Sequence, residues 1–289
     1  MFITLQDLHI RARKEKWAVP HFNFSSFELL HGIVQGVLES KAPVLLGTSE
    51  NERKFVGLKE AVAVVRSLRD GGAVVFLNAD HCHSVESAKE AFDAGYDSIH
   101  IDLSKKSFEE NMKGTKQVVE YVKSKRPEVQ VEGELGYLVT DSSKIYKEKI
   151  LISEDSYTKT EEAVKFVQET GVDRLAPAIG TIHGIAVNTP HLKFDLVEEL
   201  RRELPESVAL VLHGGSGVGD EEMKRVIEMG FNNVHISTEL RVAYTSALRK
   251  ELKENPEETT PYHYLKESRN AVKELVQEKL KIFGTLNRV

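Results

Sequence analysis

Eight short runs of apolar and β-branched residues recur along the chain, and each is followed by a charged segment whose apolar residues have helical spacing. The runs are Trp17 to Phe22, Pro43 to Thr48, Val74 to Ala79, Ser98 to Asp102, Val129 to Leu135, Arg174 to Gly180, Val208 to Gly214 and Asn233 to Ser237. Strands that alternate with amphipathic helices pair in parallel through right-handed crossovers. Eight such units in 289 residues predict a closed (β/α)8 barrel, the TIM-barrel architecture of the α/β class.

An open, doubly wound sheet is the competing architecture for this alternation. It would carry a Gly-x-Gly-x-x-Gly turn after an early strand, and the sequence has none there. No stretch rich in proline, glycine or serine marks a linker. We therefore predict one catalytic domain over residues 1–289, with an additional C-terminal helix at about Pro261 to Phe283. Thr140 to Tyr157, between the fifth strand and its helix, is predicted to be a mobile loop at the barrel mouth.

The composition limits the partners of the chain. Hydrophobic residues at 40% and charged residues at 29% are typical of an ordinary globular protein with a substantial core. A formal net charge of −6 argues against binding to nucleic acid or to an anionic membrane surface. The one cysteine, Cys82, cannot form an internal disulfide, and no stretch approaches 18 consecutive apolar residues. These features predict a cytoplasmic protein whose partners are neither nucleic acid nor a membrane.

Polar and ionisable residues stand at the C-terminal ends of all eight predicted strands. Active sites of (β/α)8 barrels are built at these strand ends, so the residues are predicted to converge on one rim. In strand order they are Asn23, Ser49, Asp80 with His81, Asp102, Glu132 with Glu134, His183, His213, and His235 with Ser237.

Three of these strand-end residues are histidines, and they form the candidate metal site. Neutral imidazoles bind Zn²⁺, and His81, His183 and His213 as three protein ligands would leave a fourth position for substrate. Any one of them alone is more simply a buried core or loop residue. His83 and His235 are alternative ligands that the spacing does not exclude.

Asp80 is the candidate general base, because a carboxylate beside a bound cation and substrate can accept a hydroxyl proton. Its alternative role is to orient a histidine as a hydrogen-bond acceptor. For Asp102, Glu132 and Glu134 we favour such an orienting or charge-neutralising role over catalysis.

The segment Leu212 to Gly217, with sequence LHGGSG, leads from the seventh strand toward a helix that begins near Asp220. Glycines such as Gly214 and Gly215 let the backbone approach an anion closely, and barrels commonly bind phosphate after strands seven and eight. Gly180 to Gly184 could form a second wall, and Ser237 and Thr238 could add hydroxyl donors. Each loop alone is equally consistent with a tight turn, but their joint position predicts a phosphate site.

Four motifs resemble the class II, zinc-dependent ketose-bisphosphate aldolases, whose principal members act on fructose bisphosphate and tagatose bisphosphate. The motifs are Asp80-His81, the AIGTIHG stretch at 178–184, the LHGGSG stretch at 212–217 and the KIFG stretch at 281–284. The resemblance covers nearly the whole chain. It implies one catalytic Zn²⁺ per subunit on His81, His183 and His213, and it admits a monovalent cation as a second cofactor. It further implies that Asp80 is the base and that Glu132 and Asp102 lie close to the metal.

The resemblance also implies how a phosphorylated ketose would be bound. Arg241, and less securely Arg269, correspond to arginines associated with the distal phosphate. Asn23, Ser49 and His235 are further candidates for substrate contact. The positions expected at the dihydroxyacetone phosphate end are Gly184, Gly214, Gly215, Ser216, Ser237 and Thr238.

Three departures from the family pattern fall on positions predicted to face the substrate. The family places a lysine a few residues after the sixth-strand histidine, whereas Ile185 to Asn188 contains none. His235 stands where the family has asparagine. The loop Tyr137 to Tyr157 lacks the glycine-rich family pattern, so the acid that returns a proton is unassigned among Glu148, Glu154, Tyr146 and Tyr157.

The expected reaction is reversible aldol cleavage of fructose 1,6-bisphosphate or tagatose 1,6-bisphosphate to dihydroxyacetone phosphate and glyceraldehyde 3-phosphate, through an enediolate stabilised by the metal. An aldolase or an epimerase or isomerase that acts on a ketose monophosphate or an unphosphorylated ketose is the alternative. A non-catalytic barrel that binds metal or senses sugar phosphates is a third. The resemblance implies a homodimer or homotetramer in carbohydrate metabolism, in glycolysis for the fructose enzyme.

Overall fold

The computed structural model describes residues 3–138, 140, 143–188 and 191–289. Eight strands form a parallel barrel: β1 (Val19–Asn23), β2 (Val44–Thr48), β3 (Val75–Cys82), β4 (Ser98–Ile101), β5 (Gln130–Leu135), β7 (Arg174–Pro177), β9 (Ala209–Leu212) and β10 (Phe231–Ile236). They close in the order β1-β10-β9-β7-β5-β4-β3-β2. All eight lie within the predicted runs or within three residues of them, so the predicted barrel is confirmed.

Helices alternate with the strands around the barrel. They are α1 (Leu5–Glu15), α2 (Phe27–Glu39), α3 (Glu50–Val56), α4 (Leu58–Asp70), α5 (Val85–Ala94), α6 (Phe108–Lys125), α7 (Thr160–Thr170), α8 (Phe194–Glu203), α9 (Asp220–Glu228), α10 (Thr238–Glu254), α11 (Pro261–Tyr264) and α12 (Lys266–Ile282). Several begin at the capping residues that favour helix starts. In α6, for example, Ser107 and Glu110 form a reciprocal capping box.

The predicted C-terminal helix is present as α11 and α12, and α12 packs against α2. Two glycines on α2 permit this close approach. A Cβ atom on Gly32 would lie 2.8 Å from the carbonyl oxygen of Arg269, and one on Gly36 would lie 2.9 Å from a methyl carbon of Val276. Any side chain at these positions would push the two helices apart.

Helix α1 lies outside the predicted eightfold repeat and packs against the N-terminal end of the barrel. Leu5, Leu8 and Ala12 of α1 form a buried cluster with Trp17, Val19 and Leu45. The last residues of the chain meet the same helix, since Arg11 Nη1 donates to the carbonyl oxygen of Arg288 at 2.8 Å. In (β/α)8 barrels this end serves stability, so the opposite end is free for chemistry.

At the C-terminal end of the barrel, two loops pair with each other. Two short strands, β6 (Ile145–Tyr146) and β8 (Ile185–Ala186), form a separate parallel sheet. They join the β5–α7 loop to the loop that follows His183. Residues 141 and 142 of the predicted mobile loop lie outside the described residues, and its mobility stays a prediction. No helix in the described part of the chain has both the length and the apolar character needed to cross a membrane.

Candidate active site

The polar strand ends converge on one cavity at the C-terminal end of the barrel. We call it the first cavity; it is lined by Asn23, Ser49, Asp80, His81, His183, His213, Gly214, Ser216, His235, Ser237, Thr238 and Arg241. Most of the substrate-binding residues predicted from the sequence are in this set. Gly184 and Gly215 line neither this cavity nor the one beside it. A Cβ on Gly215 would lie 2.8 Å from the carbonyl oxygen of His235, so Gly215 serves close packing against β10.

Asp80 and His81 both reach the first cavity although they are adjacent on β3. Side chains alternate between the two faces of a regular strand. The pairing of β3 with β4 shifts register between Ala79 and Cys82, as in a β-bulge. His81 has a left-handed backbone, with φ of 45°, which is unusual for a residue with a side chain. This irregularity directs a carboxylate and an imidazole to the same site.

Two of the predicted metal ligands are held by carboxylates. Asp102 Oδ2 lies 2.8 Å from Nδ1 of His81, and Glu132 Oε1 lies 2.7 Å from Nε2 of His213. Each hydrogen bond fixes one ring nitrogen and leaves the other available, as in the carboxylate–histidine–metal arrangement of zinc sites. Asp102 and Glu132 thus lie within hydrogen-bond distance of the rings that they are predicted to orient, and the orienting role itself stays a prediction.

His183 lines the same cavity beside His81 and His213, although its ligand atoms share no cluster within 4.8 Å with theirs. Its ring centroid lies 5.0 Å from that of His81 and 6.2 Å from that of His213. Its Nε2 atom is buried and has no hydrogen-bond partner among the described residues. Burial, together with the charge of His81, lowers the pKa of His183 to about 3, so the imidazole is neutral at physiological pH. A buried neutral imidazole with an unpartnered nitrogen is suited to binding a metal ion.

His81 and His213 differ in their electrostatics. Although burial opposes it, the carboxylate of Asp80 raises the pKa of His81 to about 9. Burial lowers the pKa of His213 to about 3, against the effect of Glu132. A metal ion at His81 would therefore displace a proton at neutral pH. The donor set of three imidazoles backed by carboxylates fits a divalent transition metal such as Zn²⁺.

The alternative ligand His83 is separated from this group. Its side chain is 53% exposed, and its Nδ1 lies 3.6 Å from Asp102 Oδ2. Like His183, it belongs to none of the clusters of described residues whose ligand atoms lie within 4.8 Å of one another, whereas His81 and His213 share one with Asp80 and His100. His235 lines the first cavity with its ring stacked 3.5 Å from that of His21, and its ligand atoms cluster with those of Glu132 and His213. Exposure therefore separates His83 from the predicted ligands, and His235 stays an alternative ligand.

Asp80 is surrounded by hydrogen-bond donors. Its Oδ2 accepts from Nδ2 of Asn23 at 3.0 Å, and its Oδ1 lies 3.5 Å from Nδ1 of His235. Burial alone would raise the pKa of Asp80, but His81, His100 and His235 together hold it well below its usual value. Asp80 is thus ionised and can accept a proton once a substrate hydroxyl is held against it.

Sequence reasoning missed His100, which is wholly buried on β4. Its Nδ1 accepts a hydrogen bond from the backbone N–H of His81 at 3.1 Å, and its Nε2 lies 3.1 Å from Oε2 of Glu134. Ser98 and His100 are two residues apart, so both point to the barrel interior. The period of two along the strand is the signal that identifies His100.

The predicted phosphate end is built where the β9–α9 loop meets the start of α10. Ser216 Oγ accepts hydrogen bonds at 3.3 Å from the backbone N–H groups of Ser237 and Glu239. Gly214 has φ of 65°, and a Cβ there would lie 2.4 Å from the carbonyl oxygen of Ile182. The hydroxyl of Ser237 is buried without a partner among the described residues. This region offers hydroxyls and a helix N-terminus to an anion.

Arg241 lines the same cavity but is engaged by a carboxylate. Its Nη2 lies 2.5 Å from Oε1 of Glu52, whose other oxygen accepts from Asn23 at 3.0 Å. Arg269 of α12 lines neither cavity. The predicted distal-phosphate arginines are therefore not brought together, and the available one is already paired.

A second cavity of about 350 Å³ continues from the first, since Ser49, His81 and His183 line both. Its charged and polar lining includes three carboxylates, from Glu50, Asp102 and Glu134, and the ammonium group of Lys105. The candidate loop acids Glu148, Glu154, Tyr146 and Tyr157 line neither cavity.

A rim of convergent imidazoles with a buried carboxylate beside them is typical of a metal-dependent (β/α)8-barrel enzyme. Residues 3–288 match the family model described as "Fructose-bisphosphate aldolase class-II". The chain belongs to this class II aldolase family, whose members are metal-dependent carbon–carbon lyases that act on sugar phosphates.

Named relatives agree with this assignment. The fructose-bisphosphate aldolase of Staphylococcus aureus (strain Mu50 / ATCC 700699) is 35% identical over 99% of this chain and 98% of its own length. The fructose-bisphosphate aldolase of Geobacillus stearothermophilus is 34% identical over 98% of this chain and 97% of its own. The crystal structure of the YdjI aldolase from Escherichia coli K12 superposes with a TM-score of 0.83 at 32% identity, covering 99% of this chain and 98% of that one.

Proposed function

We propose that this chain is a zinc-dependent aldolase that reversibly cleaves a phosphorylated ketose to dihydroxyacetone phosphate and an aldehyde. The observation that carries the proposal is the group of His81, His183 and His213 with the ionised Asp80 beside it. Membership of the class II aldolase family supports the reaction class. Zinc is proposed because two of the imidazoles are backed by carboxylates in the manner of zinc sites.

His81, His183 and His213 would hold the ion. When bound, Zn²⁺ would act as a Lewis acid on the ketose carbonyl and stabilise the negative charge that develops there. Asp102 and Glu132 keep the His81 and His213 rings in fixed orientations. This preorganisation means that little reorientation is needed when charge develops in the transition state.

Asp80 takes the proton from the hydroxyl on the carbon that becomes the aldehyde. As that O–H bond breaks, the carbon–oxygen double bond of the aldehyde forms and the adjacent carbon–carbon bond breaks. The electron pair of the broken bond passes to the carbonyl end of the ketose and gives an enediolate. Asn23 holds Asp80 at 3.0 Å in a position to accept the proton. A later proton transfer to the enediolate carbon completes dihydroxyacetone phosphate.

The phosphate of the dihydroxyacetone end would lie at the Ser216, Ser237 and Thr238 hydroxyls. Ser237 supports this placement, because its buried hydroxyl has no hydrogen-bond partner among the described residues. The start of α10 adds the positive end of a 17-residue helix. Gly214 allows the backbone to approach the anion without a side chain in the way.

Fructose 1,6-bisphosphate and tagatose 1,6-bisphosphate are the first substrates to test. NMR product analysis with purified protein, with and without a chelator, should show chelator-sensitive release of dihydroxyacetone phosphate from one of them. The bisphosphates should be run beside their monophosphate and unphosphorylated counterparts. A protein that binds zinc and leaves every ketose unchanged would overturn the proposal and favour a metal-binding sensor.

A ketose with one phosphate is the second candidate substrate. Two observations favour it: Arg241 is already paired with Glu52 at 2.5 Å, and no arginine is among the described residues that line the second cavity. A second phosphate dianion would therefore have no free guanidinium partner among the described residues of the two cavities. Faster cleavage of the monophosphate than of the bisphosphate in the same NMR assay supports this candidate. Formation of an epimer without a three-carbon product would identify an epimerase instead.

A further inference from the structure

The barrel interior below the candidate metal ligands His81, His183 and His213 is polar, whereas (β/α)8 barrels are usually filled by branched aliphatic side chains. Arg174, at the start of β7, lies at the centre of this layer and is wholly buried. We propose that Arg174 is a positioning residue for the metal site: it holds Glu132, and Glu132 holds His213. The inference rests on the proposed metal site. Arg174 takes no part in the cleavage of the carbon–carbon bond itself.

Arg174 is fixed by contacts to several strands at once. Its Nη1 lies 3.0 Å from Oε2 of Glu132 on β5 and donates to Oδ1 of Asn233 on β10 at 2.9 Å. Its Nη2 donates to Oδ1 of Asn78 on β3 at 3.1 Å and to the hydroxyl of Ser98 on β4. A planar guanidinium with this many fixed partners has one position, and lysine could not reproduce it.

Glu132 transmits this position to the metal group. One carboxylate oxygen faces Arg174, and the other lies 2.7 Å from Nε2 of His213. The contact at Oε2 is an ion pair without hydrogen-bond geometry, and together with the hydrogen bond to His213 it sets the orientation of the carboxylate. The hydrogen bond between Glu132 and Nε2 in turn orients the imidazole of His213. Its Nδ1 is then the ring nitrogen that can bind a metal ion.

A purely structural role for Arg174 is the competing interpretation. A buried ion pair is weak evidence for stability, and an aliphatic pair of similar volume is often as stable. Removing Arg174 alone would leave Glu132 buried between His100 and His213 without a compensating guanidinium. The two interpretations differ in one measurable respect, because only positioning predicts a change in metal affinity in a protein that is still folded.

The test compares the Zn²⁺ affinities of folded variants, measured by competition with a chromophoric chelator at 25 °C. Arg174→Met should weaken Zn²⁺ binding by roughly 10- to 100-fold, the usual effect of losing an outer partner of a metal ligand. Arg174→Lys should recover part of that loss. Arg201→Met is the control, since Arg201 is a partly buried arginine that donates to backbone carbonyls away from the site. Arg201→Met should leave the affinity within about twofold of wild type.

A double-mutant cycle shows whether Arg174 acts through Glu132. In a Glu132→Gln background, Arg174→Met should weaken Zn²⁺ binding by less than about threefold, because the intermediary is already lost. An unchanged affinity in Arg174→Met, or a full additional loss in the double variant, would overturn the inference. If Arg174→Met does not fold, Arg174→Lys supplies the single-variant measurement, and an affinity equal to that of wild type in Arg174→Lys would overturn the inference. Failure of the wild-type protein to bind Zn²⁺ would instead overturn the metal site itself.

Discussion

Asp80 and His81 show how a single irregular residue pair can build a site. The shift in pairing at the end of β3 allows two consecutive side chains to enter the first cavity. The left-handed backbone of His81 stores some strain, and such strain concentrates at functional sites. The base and one metal ligand are thereby fixed next to each other by the backbone.

Replacement of Asp80 by asparagine tests its role directly. Asp80→Asn keeps the shape of the side chain but removes the proton acceptor, so kcat for ketose cleavage should fall by roughly 10²- to 10⁴-fold. Zn²⁺ should still bind, because the three histidines are unchanged. Steady-state kinetics and metal analysis of the same preparation check both statements. Asp93→Asn, at an exposed carboxylate paired with Tyr121, is the control, and equal kcat values for both variants would contradict the assignment.

The candidate residues predicted from the sequence lie at or beyond the C-terminal ends of the strands. Asp80 is on the last part of β3, His213 directly follows β9, and His183 follows β7 by six residues. His100 and Arg174 lie within strands, where a polar residue is usually assigned to the solvent face. In a closed barrel the inner face is also lined by alternate residues, so this assignment fails when the interior is polar.

At the scale of the secondary-structure element, helix α1 is a feature that the sequence pattern did not predict. Its amphipathic pattern is present, with Leu5, Leu8 and Ala12 on one face, but it precedes the first strand and so has no place in the eightfold repeat. The two-residue strands β6 and β8 are too short to produce any periodicity. Their pairing depends on contacts between loops that are distant in sequence, and local patterns carry no information about such contacts.

His9 on α1 predicts a pH dependence of stability. Burial, reinforced by the charge of Arg174, lowers the pKa of His9 to about 3. Between this value and about 6.5 the unfolded state binds one proton more, so the stability due to His9 is complete above pH 6.5 and is lost as the pH falls. In wild type, this group alone should reduce the unfolding free energy by about 2 kcal/mol from pH 7 to pH 5.

Urea denaturation at the two pH values measures this effect. In His9→Leu the drop in unfolding free energy between pH 7 and pH 5 should be smaller than in wild type by about 2 kcal/mol. His31→Leu, at an exposed position on α2, should keep the full wild-type drop. An identical drop in all three proteins would mean that His9 is not held neutral in the folded state.

At the scale of the whole molecule, a metal ion at the barrel mouth would connect three strands through His81, His183 and His213. A ligand that binds only the folded state stabilises it by about 2.7 kcal/mol at a concentration of 100 times its Kd. Zn²⁺ at that ratio should therefore raise the Tm of chelator-treated protein by roughly 4–5 °C.

Thermal melts with and without added Zn²⁺ check this prediction. His183→Ala should lose most of the Zn²⁺-dependent rise in Tm, because a ligand is removed. His191→Ala is the matched control, since the His191 side chain is 94% exposed and pairs with Glu222. A rise of the same size in His183→Ala would place the ion elsewhere.

Contact between α1 and the segment around Arg288 couples two parts of the chain that are distant in sequence. Arg11 binds the carbonyl of Arg288, and Arg288 lies 2.8 Å from Glu15 in return. The two segments are therefore expected to open together, as one cooperative unit, in native-state hydrogen exchange. Because α1 packs against the barrel end opposite the first cavity, such an opening would leave the substrate entrance unchanged.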